Sequence, residues 1–364
     1  MIFLDNVYLS MSKIIYYIGA GASCGRKEAR EILDKGTDNE RLIVREGLPV
    51  VNEIAKSLLA FKEAVENAPI ETERFYTFMD KYQTEGVKID LGRTRLLKDI
   101  ENLYKAAKEH ATIDTYAKKL FLTRRHNDFQ CLKNVLSVFF VWVQLEGEPD
   151  QRYDTFLANI LQMNNLYFPK DISVISWNYD SQFEIVYRYY SVNGSLPIYE
   201  KMEDGDLPPL KDFGRIFKVN GSANFGDFNI CDSITRNVDV KPIIQLIEYY
   251  GNLNVDTSAM GFQLHSHLSF AWETFEKQKQ LMEIIKQTTV DTESIVVIGY
   301  SFPYFNREID RAIFAGMPNL KTIYIQDPNP DAVEPSLRAV LPEESKVRIE
   351  HQKDCTQFYL PREL

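Results

Sequence analysis

Lys13-Ile14-Ile15-Tyr16-Tyr17-Ile18-Gly19-Ala20-Gly21-Ala22-Ser23 is an apolar run, rich in branched and aromatic side chains, that stops abruptly at glycine. A continuous apolar run of this length, without polar alternation, reads as a strand buried on both faces. The glycines then allow a tight turn and let backbone amides approach an oxyanion, and Ser23 adds a donor. The turn therefore reads as a phosphate loop; on its own it reads equally as an ordinary strand-to-helix turn. The third glycine of G-x-G-x-x-G would fall at Cys24, and G-x4-G-K-[ST] is absent, so neither common nucleotide fingerprint is met.

The same texture returns downstream. Ile172 to Trp177, Arg215 to Val219, Ser294 to Ile298 and Lys321 to Gln326 are further short apolar strands. Ser181-x-x-Glu184 has the form of a capping box opening a helix through Tyr190. Residues 265–287 and Phe305 to Phe314 read as helices, and residues 220–262 carry no clear period. Buried strands alternating with helices imply a parallel sheet covered on both faces. Between Gly47-Leu48-Pro49 and Phe168 the chain is helical in character. Val135, Phe139, Phe140 and Val143 recur at three and four spacing, and a first helix is expected near Val50. The expected organisation is an α/β domain formed by 11–49 and 169–364, with 50–168 as a helical insertion. Only a tail is expected after Pro330.

Composition narrows the function classes. The chain has 364 residues, 45% of them hydrophobic, and a net charge of −10. That acidity argues against a general nucleic-acid coat, which needs clustered cations. Residues 91–130 are locally basic, with nine Lys/Arg against five Asp/Glu. This reads as a solvated helix face or as a docking surface for an acidic partner. Cys24, Cys131, Cys231 and Cys355 are scattered without a CxxC pair, so neither a zinc site nor a disulfide framework is expected. A reducing, cytoplasmic setting follows. No run reaches the length of a membrane span. Residues 1–10 lack the basic start of a signal peptide, and Met11 reads as an alternative start.

Ligands in doubly wound sheets sit beyond the carboxyl ends of the strands. The five strands end in Gly19-Ala20-Gly21-Ala22-Ser23, Asn178-Tyr179-Asp180, Asn220-Gly221-Ser222, Gly299-Tyr300-Ser301 and Asp327-Pro328-Asn329-Pro330. All are small or polar, as a shared crevice requires. Together with the displaced Gly47-Leu48-Pro49, and with Trp177 before Asn178, these motifs occur in sirtuin order. The chain resembles the bacterial sirtuin-like proteins of anti-phage defence, which carry a helical insertion where deacetylases carry a zinc ribbon.

The resemblance implies a Rossmann-like parallel sheet of the sirtuin type, without a zinc ribbon or other metal. It also implies NAD as substrate or bound ligand. Gly19, Ala20, Gly21 and Ser23 would cradle the pyrophosphate, with Pro49 in the cofactor-binding set. Asn178 would hold the nicotinamide-side ribose and the attacking water, and Asp180 would brace that loop or the nicotinamide pocket. Gly299 and Ser301 would contact phosphate or ribose, and Asp327 and Asn329 would lie near the adenosine ribose. Asn178 and Asp180 can also be read simply as an Asx turn.

Active members of that family usually carry His-Gly where this chain has Asn220-Gly221. Asparagine cannot act as a general base near neutral pH, and losing such a base typically costs about 10²–10⁴-fold. Three readings stay open: a binder without turnover, a slow hydrolase relying on Asn178 and electrostatics, or a substitution that traps ligand. His265 and His267 are the nearest alternative histidines. The leading expectation is an NAD+ glycohydrolase that depletes NAD in anti-phage defence. The alternative is an NAD or ADP-ribose binding module acting through a partner. Either would be controlled by homo-oligomerisation or a separately encoded partner protein docking on the helical insertion.

Overall fold

The computed structural model describes residues 13–25, 47–49, 53–69, 89–110, 112–161, 168–190, 198–199, 214–225, 242–253, 266–270, 272–273 and 279–364. His265, Cys231 and the start of the expected helix at Val50 lie outside these residues. The chain divides into two compact units. One comprises 1–31, 149–222 and 269–364, and the other 32–148 and 223–268.

The first unit is a seven-stranded sheet in which every adjacent pair runs parallel. Its strands are β1 (Ile14–Ile18), β2 (Ile172–Ser176), β3 (Ile198–Tyr199), β4 (Ile216–Lys218), β7 (Ser294–Ile298), β8 (Thr322–Gln326) and β9 (Arg348–Gln352). The spatial order is β3-β4-β2-β1-β7-β8-β9. From β4 to β9 this is the 3-2-1-4-5-6 order of a Rossmann-like fold, reversing direction between β1 and β7.

The strand side chains alternate between two cores. Ile15, Tyr17, Ile175, Phe217, Ile295, Val297, Ile323 and Ile325 share one with α8 (Lys279–Thr289), α9 (Arg307–Ala315) and α10 (Pro330–Arg338). Ile14, Tyr16, Ile18, Val174, Ile216, Val296, Ile298 and Tyr324 share the other with α5 (Gln151–Ile160) and α6 (Gln182–Tyr190). Both faces are covered, which is why the strands are apolar throughout rather than alternating.

Two sequence expectations change here. Within the 265–287 segment expected to be helical, Ser266–Leu268 forms β6, which pairs with β5 (Gly221–Phe225), while Lys279–Thr289 is helix. The tail after Pro330 is a full sheet element. β9 pairs with β8, and Gln326 Nε2 donates to Asp354 O and Gln357 O, strapping the C-terminal segment to the sheet. Arg348-Ile349-Glu350-His351-Gln352 is polar because it lies at the sheet edge, so no buried apolar run announced it.

The second unit contains α1 (Ile54–Glu66), α2 (Ile89–Glu109), α3 (Ile113–Leu122), α4 (His126–Glu146), α7 (Pro242–Asn252), β6 and residues 223–225 of β5. α2 and α7 pack closely: Tyr250 donates to Asp99 Oδ2 at 2.5 Å, and a Cβ on Gly92 would lie 2.9 Å from Ile247 O. α4 is buried along most of its length, with Phe61 of α1 against Phe139 and Trp142. The helices expected over 50–168 thus divide: α1–α4 belong to this unit, and α5 to the sheet unit.

Beneath the β7 end of the sheet, Asp310 of α9 is fully buried. It accepts hydrogen bonds from Tyr17 and, at 3.1 Å, from Tyr300. Burial pushes its carboxyl up to about 7, against the pull of those two donors. The folded state therefore keeps a proton that the unfolded chain releases near pH 4. The stabilisation is complete below that pH and is lost as pH rises through about 7. Thermal unfolding followed from pH 4 to 7 is expected to show stability falling by on the order of 4 kcal/mol from this group. The Asp310→Asn variant should remove that slope.

Candidate functional site

The register places the strand ends side by side. Ile18 is level with Ser176 and with Ile298, Ser176 with Lys218, and Ile298 with Gln326. The turns that follow therefore emerge along one edge of the sheet, and the β1 and β7 turns flank the point where the strand order reverses.

Those two turns touch through their backbones. Gly19 N donates to Ile298 O and Gly21 N to Gly299 O, both at 3.0 Å. A Cβ on Gly19 would lie 2.7 Å from Gly299 O, and one on Gly21 2.7 Å from Gly299 Cα. Gly299 itself has φ +59, and its Cβ would lie 2.3 Å from Gly21 Cα. Phe302, three residues on, also lies in the left-handed region at φ 52, a strained conformation for an aromatic residue. The glycines are thus required by loop-to-loop contact, whatever else they admit. Residues 20–22 form one turn of 3-10 helix, with Ala22 N donating to Gly19 O at 2.8 Å and Ser23 N to Ala20 O at 3.2 Å. Ala20 and Ser301 are exposed, and Gly21 and Gly299 half-buried.

Ser23 is buried and fully engaged. Its hydroxyl lies 2.9 Å from Tyr153 Oη and accepts from Asn178 Nδ2 at 3.0 Å, while its carbonyl accepts from Gln182 Nε2 at 3.1 Å. Asn178 Nδ2 also donates to Gly19 O at 2.9 Å. Asn178 thereby ties the β2 turn to the β1 turn, and its side-chain NH2 is spent on the loop. Asp180 accepts from Gln182 N at 3.1 Å and so caps α6. Burial raises its carboxyl above the usual range, with Lys218 pulling the other way. The Lys218 ammonium pairs with Glu184 at 3.0 Å and donates to Asp180 O. The Glu184 carboxyl is also raised, because burial outweighs that pairing.

Asn220 holds the β4 turn. Its Nδ2 donates to Trp177 O at 3.0 Å, and its Oδ1 is buried with no hydrogen-bond partner among the described residues. At the β8 end Asn329 N donates to Asp327 Oδ1 at 2.8 Å, an Asx turn leading into α10. Asp327 N donates to Gln352 O at 3.2 Å. Asn178, Asp180, Ser23 and the glycines are brought together; Asp327 and Asn329 belong to their own turn on the same sheet edge. Pro49 falls in the second unit. Among the described histidines, none lies on a strand-end turn. His267 is within β6, His110 and His126 lie in the second unit, and His351 pairs with Glu334 at 2.7 Å and Asp331 at 3.3 Å.

A buried ion pair under the glycine loop escaped the sequence reading. Arg152 is 5% exposed and bonds to Asp150 through Nε at 2.9 Å, and its Nη2 donates to Gly21 O at 2.9 Å. Asp150 also accepts from Gly25 N at 2.8 Å. Burial opposes the Arg152 guanidinium charge, yet the hydrogen bond and charge of Asp150 make Arg152 hold its proton more tightly than usual. Pro149-Asp150 before an amphipathic run is a helix-start signal, but it fell inside the presumed insertion, and nothing local says that the start faces the loop. No His/Cys/Asp/Glu group able to hold a metal ion is found among the described residues.

No protein-family model, curated protein or solved structure matches the chain.

Two measurements check this geometry. Gly299→Ala should cost about 2–5 kcal/mol in thermal or denaturant unfolding, since strain and a backbone clash coincide, whereas Ala20→Ser at the exposed tip should stay within about 0.5 kcal/mol. Arg152→Met should cost about 3–5 kcal/mol by stranding the Asp150 carboxylate, and the double variant Arg152→Met/Asp150→Asn should recover part of that loss.

Proposed function

We propose that this chain binds an NAD-type dinucleotide at the turn edge of its sheet and hydrolyses it to nicotinamide and ADP-ribose. The observation that carries the reading is the strand-order reversal between β1 and β7, flanked by the paired glycine turns Gly19–Gly21 and Gly299. In open parallel sheets, dinucleotides lie across this point. The sirtuin-like motif order supports NAD as the particular ligand, and the effector role in anti-phage defence rests on that resemblance alone.

The chemistry needs little from the protein. The bond between ribose C1′ and the pyridinium nitrogen breaks, and its electron pair stays on nitrogen, so nicotinamide leaves neutral without a general acid. Water adds at C1′ and releases its proton to solvent. The protein's part is to hold the two ends of the substrate, exclude bulk water and present fixed dipoles to the developing oxocarbenium. On this reading Asn178 and the buried turns would supply such dipoles.

A second reading has its own support. Asn178 Nδ2 is committed to Gly19 and Ser23, and Asn220 stands where the resembled family carries histidine. Both favour a binder that relays nucleotide occupancy to a partner through its helices. Turnover of etheno-NAD by purified wild type beside Asn220→His separates the two. An active wild type supports the hydrolase, and a silent wild type with an active variant supports the binder. Failure of any adenine dinucleotide to bind in calorimetry would sink both. A hydrolase of this kind also needs restraint, so oligomerisation or a partner protein on the helical unit is expected to control it.

A further inference from the structure

Beside Asn220 the chain has a second feature that none of the motifs accounts for. Ser269 N donates to Asn220 O at 2.9 Å, which sets Ser269 beside the β4 turn. Ser269 is fully buried, and its Oγ, like Asn220 Oδ1, has no hydrogen-bond partner among the described residues. A buried polar group left unpaired costs about 1–3 kcal/mol, and two on adjacent residues call for an explanation. The same short segment carries aromatic rings. Phe270 and Trp272 stack at 5.2 Å with their planes 14° apart, and Tyr179, from the β2 turn, meets Phe270 edge-on at 6.4 Å. Tyr179 and Trp272 are half-buried. The segment is held in shape, because Phe270 N donates to Glu273 Oε1 and Glu273 N to Phe270 O, both at 2.9 Å.

We infer that Asn220, Ser269 and the Tyr179–Phe270–Trp272 rings form a subsite for a planar heteroaromatic ring bearing an exocyclic amino or carboxamide N–H. This rests on the dinucleotide reading and specifies which part of the crevice takes a ring. The ring stacks or packs edge-on against the aromatic side chains. Its N–H groups donate to Asn220 Oδ1, and the Ser269 hydroxyl, which can donate or accept, completes the match. Adenine and the pyridine carboxamide both have this chemistry, so either end of a dinucleotide qualifies.

The experiment uses the full chain with a non-hydrolysable NAD analogue, ADP-ribose and nicotinamide mononucleotide. Binding is measured by calorimetry and by tryptophan fluorescence in wild type, Ser269→Ala, Trp272→Ala and Trp272→Phe. Ser269→Ala is expected to weaken the NAD analogue about tenfold while leaving Tm unchanged or raised, since it removes an unpaired buried oxygen. A merely structural serine would instead lower Tm and leave affinity unchanged. Ligand quenching is expected in wild type and not in Trp272→Phe. The ring is adenine if ADP-ribose reproduces the quench, and the pyridine if nicotinamide mononucleotide does. The inference is overturned if the NAD analogue binds wild type, Ser269→Ala and Trp272→Ala equally well. If wild type binds none of the three ligands, the dinucleotide reading itself falls and takes the subsite with it.

Discussion

Two turns of backbone, Gly19–Gly21 after β1 and Gly299 after β7, approach so closely that a single methyl group on any of these three glycines would collide with the other turn. This contact sits where the strand order reverses, and its neighbours are arranged around it. Tyr300 follows Gly299 and stacks on Trp177 at 5.2 Å. Asn178 binds Gly19 O and Ser23, and Arg152 binds Gly21 O from below. A close approach of this kind leaves no tolerance for side chains, so the surrounding residues are chosen to hold the turns rather than to fill space.

The polar groups under the turns are costly and interdependent. Arg152–Asp150, Lys218–Glu184 and Asp310 with its two tyrosines are all buried. Replacing such pairs by apolar residues is often neutral or stabilising, so pairing alone does not explain their presence. What they share is attachment to the turns: Arg152 to Gly21 O, Lys218 to Asp180 O, and Asp310 to Tyr300. They fix the edge of the sheet in one geometry.

Much of the fold was legible from the residues because a strand buried on both faces writes itself as an unbroken apolar run. β1, β2, β7 and β8 show this to within a residue or two. β9 did not, since an edge strand needs no apolar run, and β6 did not, since three residues carry no period. The strand-end turns were likewise recognisable as small and polar. Arg152, Tyr153 and Ser269 were not, because each reaches its turn through a contact distant in sequence. Ser23 and Tyr153 meet across 130 positions.

The sequence by itself determined that this is an α/β chain with a parallel sheet and a set of small, polar strand ends, because local periodicity and turn chemistry carry that information. Only the tertiary structure decided what those ends do to one another. Hydrogen-bonding capacity is finite, and which donor is spent on which acceptor depends on residues brought together from far apart. The amides of Gly19 and Gly21 and the Asn178 side-chain NH2 are spent on neighbouring turns, while Asn220 Oδ1 and Ser269 Oγ are buried without partners among the described residues. The glycine turn after β1 is thus one half of a backbone clasp whose other half lies 280 positions away, from Gly19 to Gly299.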